Sequence, residues 1–166
     1  MKKSLALFIS VLTLGISSCS SDNENEDSSG LTGVKWQYYQ ITASNFDSQE
    51  EVDQAELYDY ESMYNECGDE GKHDYVQFNS NGTAIEAWYE GYNDGGNCSL
   101  STYQGQWTKT GNIITVTANY GGNEYEIKYC EIFEQTNNSM KIRERSEYHW
   151  DNNIDTSWRI YVFLKQ

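Results

Sequence analysis

The chain holds little of the material from which catalysis is built. It has two histidines. His73 stands beside Asp74, a combination that polarises a nucleophile when both share a face, yet neighbouring residues of a strand point to opposite faces. His149 lies between Tyr148 and Trp150. No GxSxG elbow, HExxH pair or phosphate-binding loop accompanies either one, so both read as surface histidines at strand ends. Asp151-Asn152-Asn153-Ile154-Asp155 sets oxygen ligands at alternate positions, as a calcium loop begins. Such a loop next needs Gly at its sixth place and Glu at its twelfth. Thr156 and Val162 stand there, so the run reads as an Asx-rich hairpin turn. Chance carboxylate pairs of the glycosidase kind are common among 26 acidic residues, and none stands out. The expectation is a protein that is not an enzyme and has no cofactor or metal.

Aromatic residues are the stronger lead. Trp88, Tyr89, Tyr103, Trp107, Tyr148 and Trp158 are the candidates to line a binding cup for a small hydrophobic or aromatic molecule. Glu144 shares strand parity with Met140, Ile142 and Tyr148 and joins them as an inward carboxylate, which is costly to bury unpaired. The competing expectation is that these rings are simply the core, because bulky side chains fill small barrels.

The elements that must position them are strands. Eight runs rich in β-branched and aromatic residues are separated by turn chemistry: 34–42, 73–79, 83–90, 101–110, 113–120, 123–134, 139–150 and 154–165. Ser80-Asn81-Gly82 between two such runs is a hairpin signal, and the complete absence of Pro suits central strands. Parallel neighbours would need crossovers, so hairpin-linked strands imply an antiparallel up-and-down sheet that closes into an eight-stranded barrel. A ten-stranded barrel and an open sandwich are the alternatives. Trp158, Ile160, Val162 and Leu164 form one face of the last strand, while Tyr161 and Phe163 make its other face apolar as well. The one long connection, 43–72, follows the first strand and has room for a short helix.

Lys2-Lys3 and the uncharged apolar run 4–16 read as a secretory signal, too short for a spanning helix. Ile16-Ser17-Ser18-Cys19 resembles a bacterial lipobox, which implies cleavage after residue 18 and lipidation of Cys19. The expected organisation is a signal at 1–18, an acidic flexible tether at 19–30 and the barrel at 31–166. The Ser-then-acidic start of the tether resembles the export signal of Bacteroidetes surface lipoproteins. The expected address is therefore the outer membrane, on its periplasmic face or at the cell surface. In that oxidising setting Cys67 and Cys98, both in turn sequence, are the expected disulfide, and Cys130 is free inside a strand.

The formal net charge of -15 argues against nucleic acid. It is unevenly spread: residues 19–70 hold 14 acids against Lys35 alone, whereas 71–166 hold 12 acids against 8 bases. If charge selects a partner, the segment 46–70 is where a basic protein would dock.

Leu31-Thr32-Gly33 before Trp36, a Cys ahead of the DYVQFNSNG hairpin, a second Cys, and Gly105-Gln106-Trp107 occur here in order. Together they resemble the lipocalin-like lipoproteins of Bacteroidetes, over 31–166. The resemblance implies a barrel with a cavity, and an Arg lying against the first-strand Trp. Arg159 against Trp36 is the corresponding barrel-closing pair, a cation–π contact. Two readings follow: a ligand-binding lipoprotein, or a filled barrel that presents its acidic segment to a basic protein, as inhibitor or immunity lipoproteins do. Cavity volume separates them.

Overall fold

The computed structural model describes residues 30–64, 67, 71–91 and 98–166. The signal, the lipobox with Cys19 and nearly all of the tether lie outside the described residues.

The alternating runs become strands because each must bury one face and expose the other. They are β1 (Lys35–Thr42), β2 (Leu57–Asp59), β3 (Tyr75–Phe78), β4 (Thr83–Glu90), β5 (Ser99–Thr110), β6 (Ile113–Gly121), β7 (Glu124–Gln135), β8 (Ser139–Trp150) and β9 (Asn153–Lys165). From β3 onward each strand pairs antiparallel with the next. β1 then closes the sheet, pairing β3 on one side and β9 on the other, from Trp36 opposite Lys165 to Ile41 opposite Tyr161. The result is a closed eight-stranded barrel. β2 is an addition that pairs Gln40–Thr42, where β3 no longer reaches.

The connection after β1 carries two short helices, α1 (Gln49–Asp53) and α2 (Tyr60–Tyr64). Ser48 caps α1, its hydroxyl accepting from the Glu51 backbone N–H. α1 lies against the outside of β9, which accounts for the burial of Val52 and Ile160. Arg143 reaches across from β8 to Asp53 of α1 and to Glu131 of β7.

One reading of the strand faces needs correction. The lumen side of β9 is Tyr161 and Phe163, which pack into the core with Tyr38. Ile160 instead shares its side with the outward Arg143. An outer helix covers part of β9, so apolar residues on both faces left the parity ambiguous. The last hairpin turns at Asp151-Asn152, both with positive φ (42° and 65°). This is the left-handed geometry that Asx residues tolerate.

Candidate functional site

The two ends of the barrel differ. At one end Trp36, Phe78, Trp107, Ile114, Ile132, Met140 and Phe163 pack with Leu31 into an apolar floor. The Trp36 indole N–H donates to the Leu31 carbonyl (3.2 Å), and that of Trp107 to the Asn79 carbonyl (2.9 Å). Both buried indoles therefore keep a partner.

Above the floor lies a cavity of about 50 Å³, walled by Val76, Ala84, Gly105, Val116 and Ile142 with polar residues over them. At ~10–15 Å³ for each water, this is room for about four. Gly105 is what lets β5 come close to β6 here. A Cβ at that position would sit 2.8 Å from the Thr117 carbonyl oxygen and 3.0 Å from Val116 Cγ1.

A charged layer crosses the lumen next. Tyr38 donates to one Glu86 oxygen (2.7 Å) and Lys128 to the other (2.9 Å). Glu126 lies 3.9 Å from the Lys128 ammonium and accepts from the Tyr120 hydroxyl at 2.8 Å. Glu144 accepts from the Ser146 hydroxyl (3.1 Å) and, weakly, from the Cys130 thiol (3.8 Å). Burial pushes both Glu86 and Glu144 upward, but the outcomes diverge. For Glu86, the ammonium of Lys128 and the Tyr38 hydroxyl outweigh burial and hold the acid below its usual range. For Glu144, burial together with the charges of Glu86 and Glu126 exceeds what Lys128 and Ser146 return, and the acid is raised. Burial opposes the charge on Lys128, yet three glutamates keep it firmly protonated. Cys130 is a buried free thiol, raised by burial and by Glu144, and is therefore unreactive.

The other end is a mouth of rings. Trp88 stacks on Tyr103 (4.8 Å between centroids), Tyr103 meets Tyr120 edge-on (5.4 Å), Tyr120 meets Tyr148 (5.8 Å) and Tyr148 meets Trp150 (5.5 Å). Tyr103 and Tyr120 remain 45% and 40% exposed, an unusual state for linked aromatic rings. From the connection, Tyr60 of α2 stacks on Tyr38, and its hydroxyl donates to Asp74. Tyr60, Tyr64, Trp88 and Tyr89 line an outer hollow with Asp74 and Glu90. Asp74, raised by burial, also accepts from the Tyr89 backbone N–H (2.7 Å). Cys67 and Cys98 form a disulfide that ties the chain just beyond α2 to the start of β5.

The expected binding residues thus divide. Glu144 and Tyr103 line the cavity, and Trp88 and Tyr148 belong to the mouth. Trp107 is part of the floor. Trp158 sits on the outer wall beside Arg145, six ångströms from its guanidinium (6.0 Å). Tyr89 faces the outer hollow rather than the lumen. The Trp36–Arg159 closing pair does not form. Trp36 is level with Lys165, six residues and roughly 20 Å along the strand from Arg159. Arg159 is level with Glu144 of β8 and instead bonds Asn45 and lies over the Tyr64 ring (5.8 Å). Nor do His73 and Asp74 combine: His73 pairs with Glu61, and His149 stacks on Tyr125 (4.2 Å). Among the described residues no three His, Cys, Asp or Glu are grouped to hold a metal.

Tyr38, Glu86, Tyr120, Glu126, Lys128 and Tyr60 carry the site without having been singled out. Parity was the available signal for some of them: Glu86 alternates with Ala84 and Trp88, and Lys128 with Cys130.

The family model described as a lipocalin-like domain matches residues 31–142. Among curated proteins none matches the chain. Solved structures similar to it include bovine odorant binding protein complexed with its natural ligand, at 16% identity and a TM-score of 0.42, covering 84% of this chain and 73% of that one. A deswapped triple mutant of bovine odorant binding protein is similar at 15% identity and a TM-score of 0.40, covering 83% and 75%.

Proposed function

The chain belongs to the lipocalin-like domain family, and on that premise we propose that it is a non-catalytic small-molecule-binding cup, held at the cell envelope by lipid on Cys19. The observation that carries the binding reading is the polarity of the lumen. An apolar floor closes one end, a cavity and a charged layer lie above it, and exposed rings surround the other end. Room for about four waters is no more than a filled barrel leaves. The cup reading therefore requires that only the head of a ligand enters there and that its body occupies the mouth once Tyr60 moves aside. The fluorescent probe N-phenyl-1-naphthylamine tests this directly. Saturable one-to-one binding at micromolar concentration is expected; no binding, together with no molecule co-purifying in native mass spectrometry of the chain from its own envelope, refutes the reading.

The anchor rests on the lipobox resemblance at residues 16–19, and the outer membrane, on either face, is the proposed address. Cys19→Ala should move the chain from the membrane fraction to the soluble one. Retention in the membrane would contradict it.

A second reading has one observation behind it. Asp47, Glu50, Glu51, Asp53, Glu56 and Asp59 are all exposed on the connection, as an acidic surface for a basic protein requires. A partner bound this way associates more slowly as salt rises. A partner retained after these six are changed to Asn or Gln would dispose of it.

A further inference from the structure

The lumen holds three carboxylates, Glu86, Glu126 and Glu144, against one ammonium, Lys128. Lys128 is already engaged, bonded to Glu86 at 2.9 Å and lying 3.9 Å from Glu126. Arg159 stands directly opposite Glu144 in the β8–β9 register, but its guanidinium is turned to Asn45 and the Tyr64 ring and makes no hydrogen bond to that carboxylate. Glu144 is left with a hydroxyl and a thiol as its hydrogen-bond partners, although it is only 9% exposed. A buried carboxylate so placed beside an open cavity has an unmet demand for a cation.

The aromatic mouth points the same way. Tyr103 and Tyr120 present exposed faces above the carboxylates, and ring faces attract cations as well as apolar bodies. Tyr148 stands four residues beyond Glu144 on β8, on the same face, so the reach from carboxylate to mouth is roughly 13 Å. The cavity that Glu144 lines has room for an ammonium head.

We propose that the cup selects a primary amine on an aryl-alkyl body, its ammonium head paired with Glu144 and its ring lodged among Trp88, Tyr103 and Tyr120. This inference rests on the small-molecule reading and names the ligand class for that same site. Binding transfers no atoms beyond a proton: where Glu144 is protonated in the empty cup, the arriving ammonium displaces that proton to solvent. The raised state of the empty Glu144 agrees with this.

Three near-isosteric probes decide it on the full chain by calorimetry at neutral pH: 4-phenylbutylamine, 4-phenyl-1-butanol and 4-phenylbutyrate. The amine should bind at least tenfold tighter than either other probe. Glu144→Gln should erase that preference while leaving the affinity for the alcohol within about twofold. Equal or tighter binding of the alcohol or the carboxylate overturns the proposal on the unmodified chain, whether or not the variant folds. So does a preference that survives in Glu144→Gln. If N-phenyl-1-naphthylamine binds and the amine does not, the amine inference fails and the cup stands. If neither binds, both fail together.

Discussion

Tyr60 stacks on Tyr38 with ring centroids 4.7 Å apart and planes 20° from parallel. A residue of the long connection thereby covers a ring that belongs to the barrel lumen. The Tyr38 hydroxyl is bonded to Glu86 and the Tyr60 hydroxyl to Asp74, so the stack links the acidic layer of the lumen to the outer hollow. Whatever enters the cup must displace Tyr60 or pass beside it.

Tyr60→Ala should therefore open the mouth. The stack and the Asp74 bond are both lost, and a half-buried ring is removed, at a cost of about 1–3 kcal/mol. The entry rate of N-phenyl-1-naphthylamine, read by stopped-flow fluorescence, should rise several-fold while urea melts show the destabilisation. An unchanged entry rate would mean that the ring does not obstruct the path.

The pH dependence of stability should carry the signature of Glu144. Its acid is raised in the folded state by burial, so the folded chain holds that proton more tightly than the unfolded one. The resulting stability is full below the unfolded value of about 4.3 and is lost as pH rises through the folded value. Asp74 contributes with the same sign and Glu86 with the opposite one, but both persist in a Glu144 variant. Glu144→Gln should match the parent near pH ~4 and melt higher than the parent near pH ~7. Thermal melts at the two pH values check this, and a gap that does not widen with pH counts against it.

The Cys67–Cys98 disulfide closes a segment of sequence separation 31 that contains β3 and β4. Chain-entropy arguments assign such a crosslink about 3–4 kcal/mol. The double variant Cys67→Ser/Cys98→Ser should lose roughly that much in urea unfolding. A loss below about 1 kcal/mol would show that the unfolded chain is compact there without the crosslink.

Gly105→Ala is predicted to be costly for a surface-sized change. The added carbon meets the Thr117 backbone oxygen at 2.8 Å, and a backbone atom within a barrel wall has little freedom to retreat. A loss of about 1–3 kcal/mol in denaturant unfolding is expected. A loss within about 0.5 kcal/mol would mean that β5 and β6 separate freely at this point.

The chain's strands were legible because strand patterning and turn chemistry are local. Alternation over a few residues and signals such as Asn81-Gly82 or Gly121-Gly122 fix where strands run and reverse, and eight hairpin-linked strands leave closure as the way to remove edges. The pairing of Cys67 with Cys98 was legible for a similar reason, since both lie in turns and Cys130 does not. The faces of β9 were not legible, because α1 buries Ile160 from outside while Phe163 is buried from within.

What the sequence by itself determined is the barrel, its disulfide and the place of its acidic connection. What only the tertiary structure decided is the inside of the cup. Lys128 meets Glu86 across 42 positions of chain, and Tyr60 meets Tyr38 by folding back over the mouth. Which charges meet and which stay apart depends on closure bringing distant strands to one layer. Local pattern carries no record of that distance.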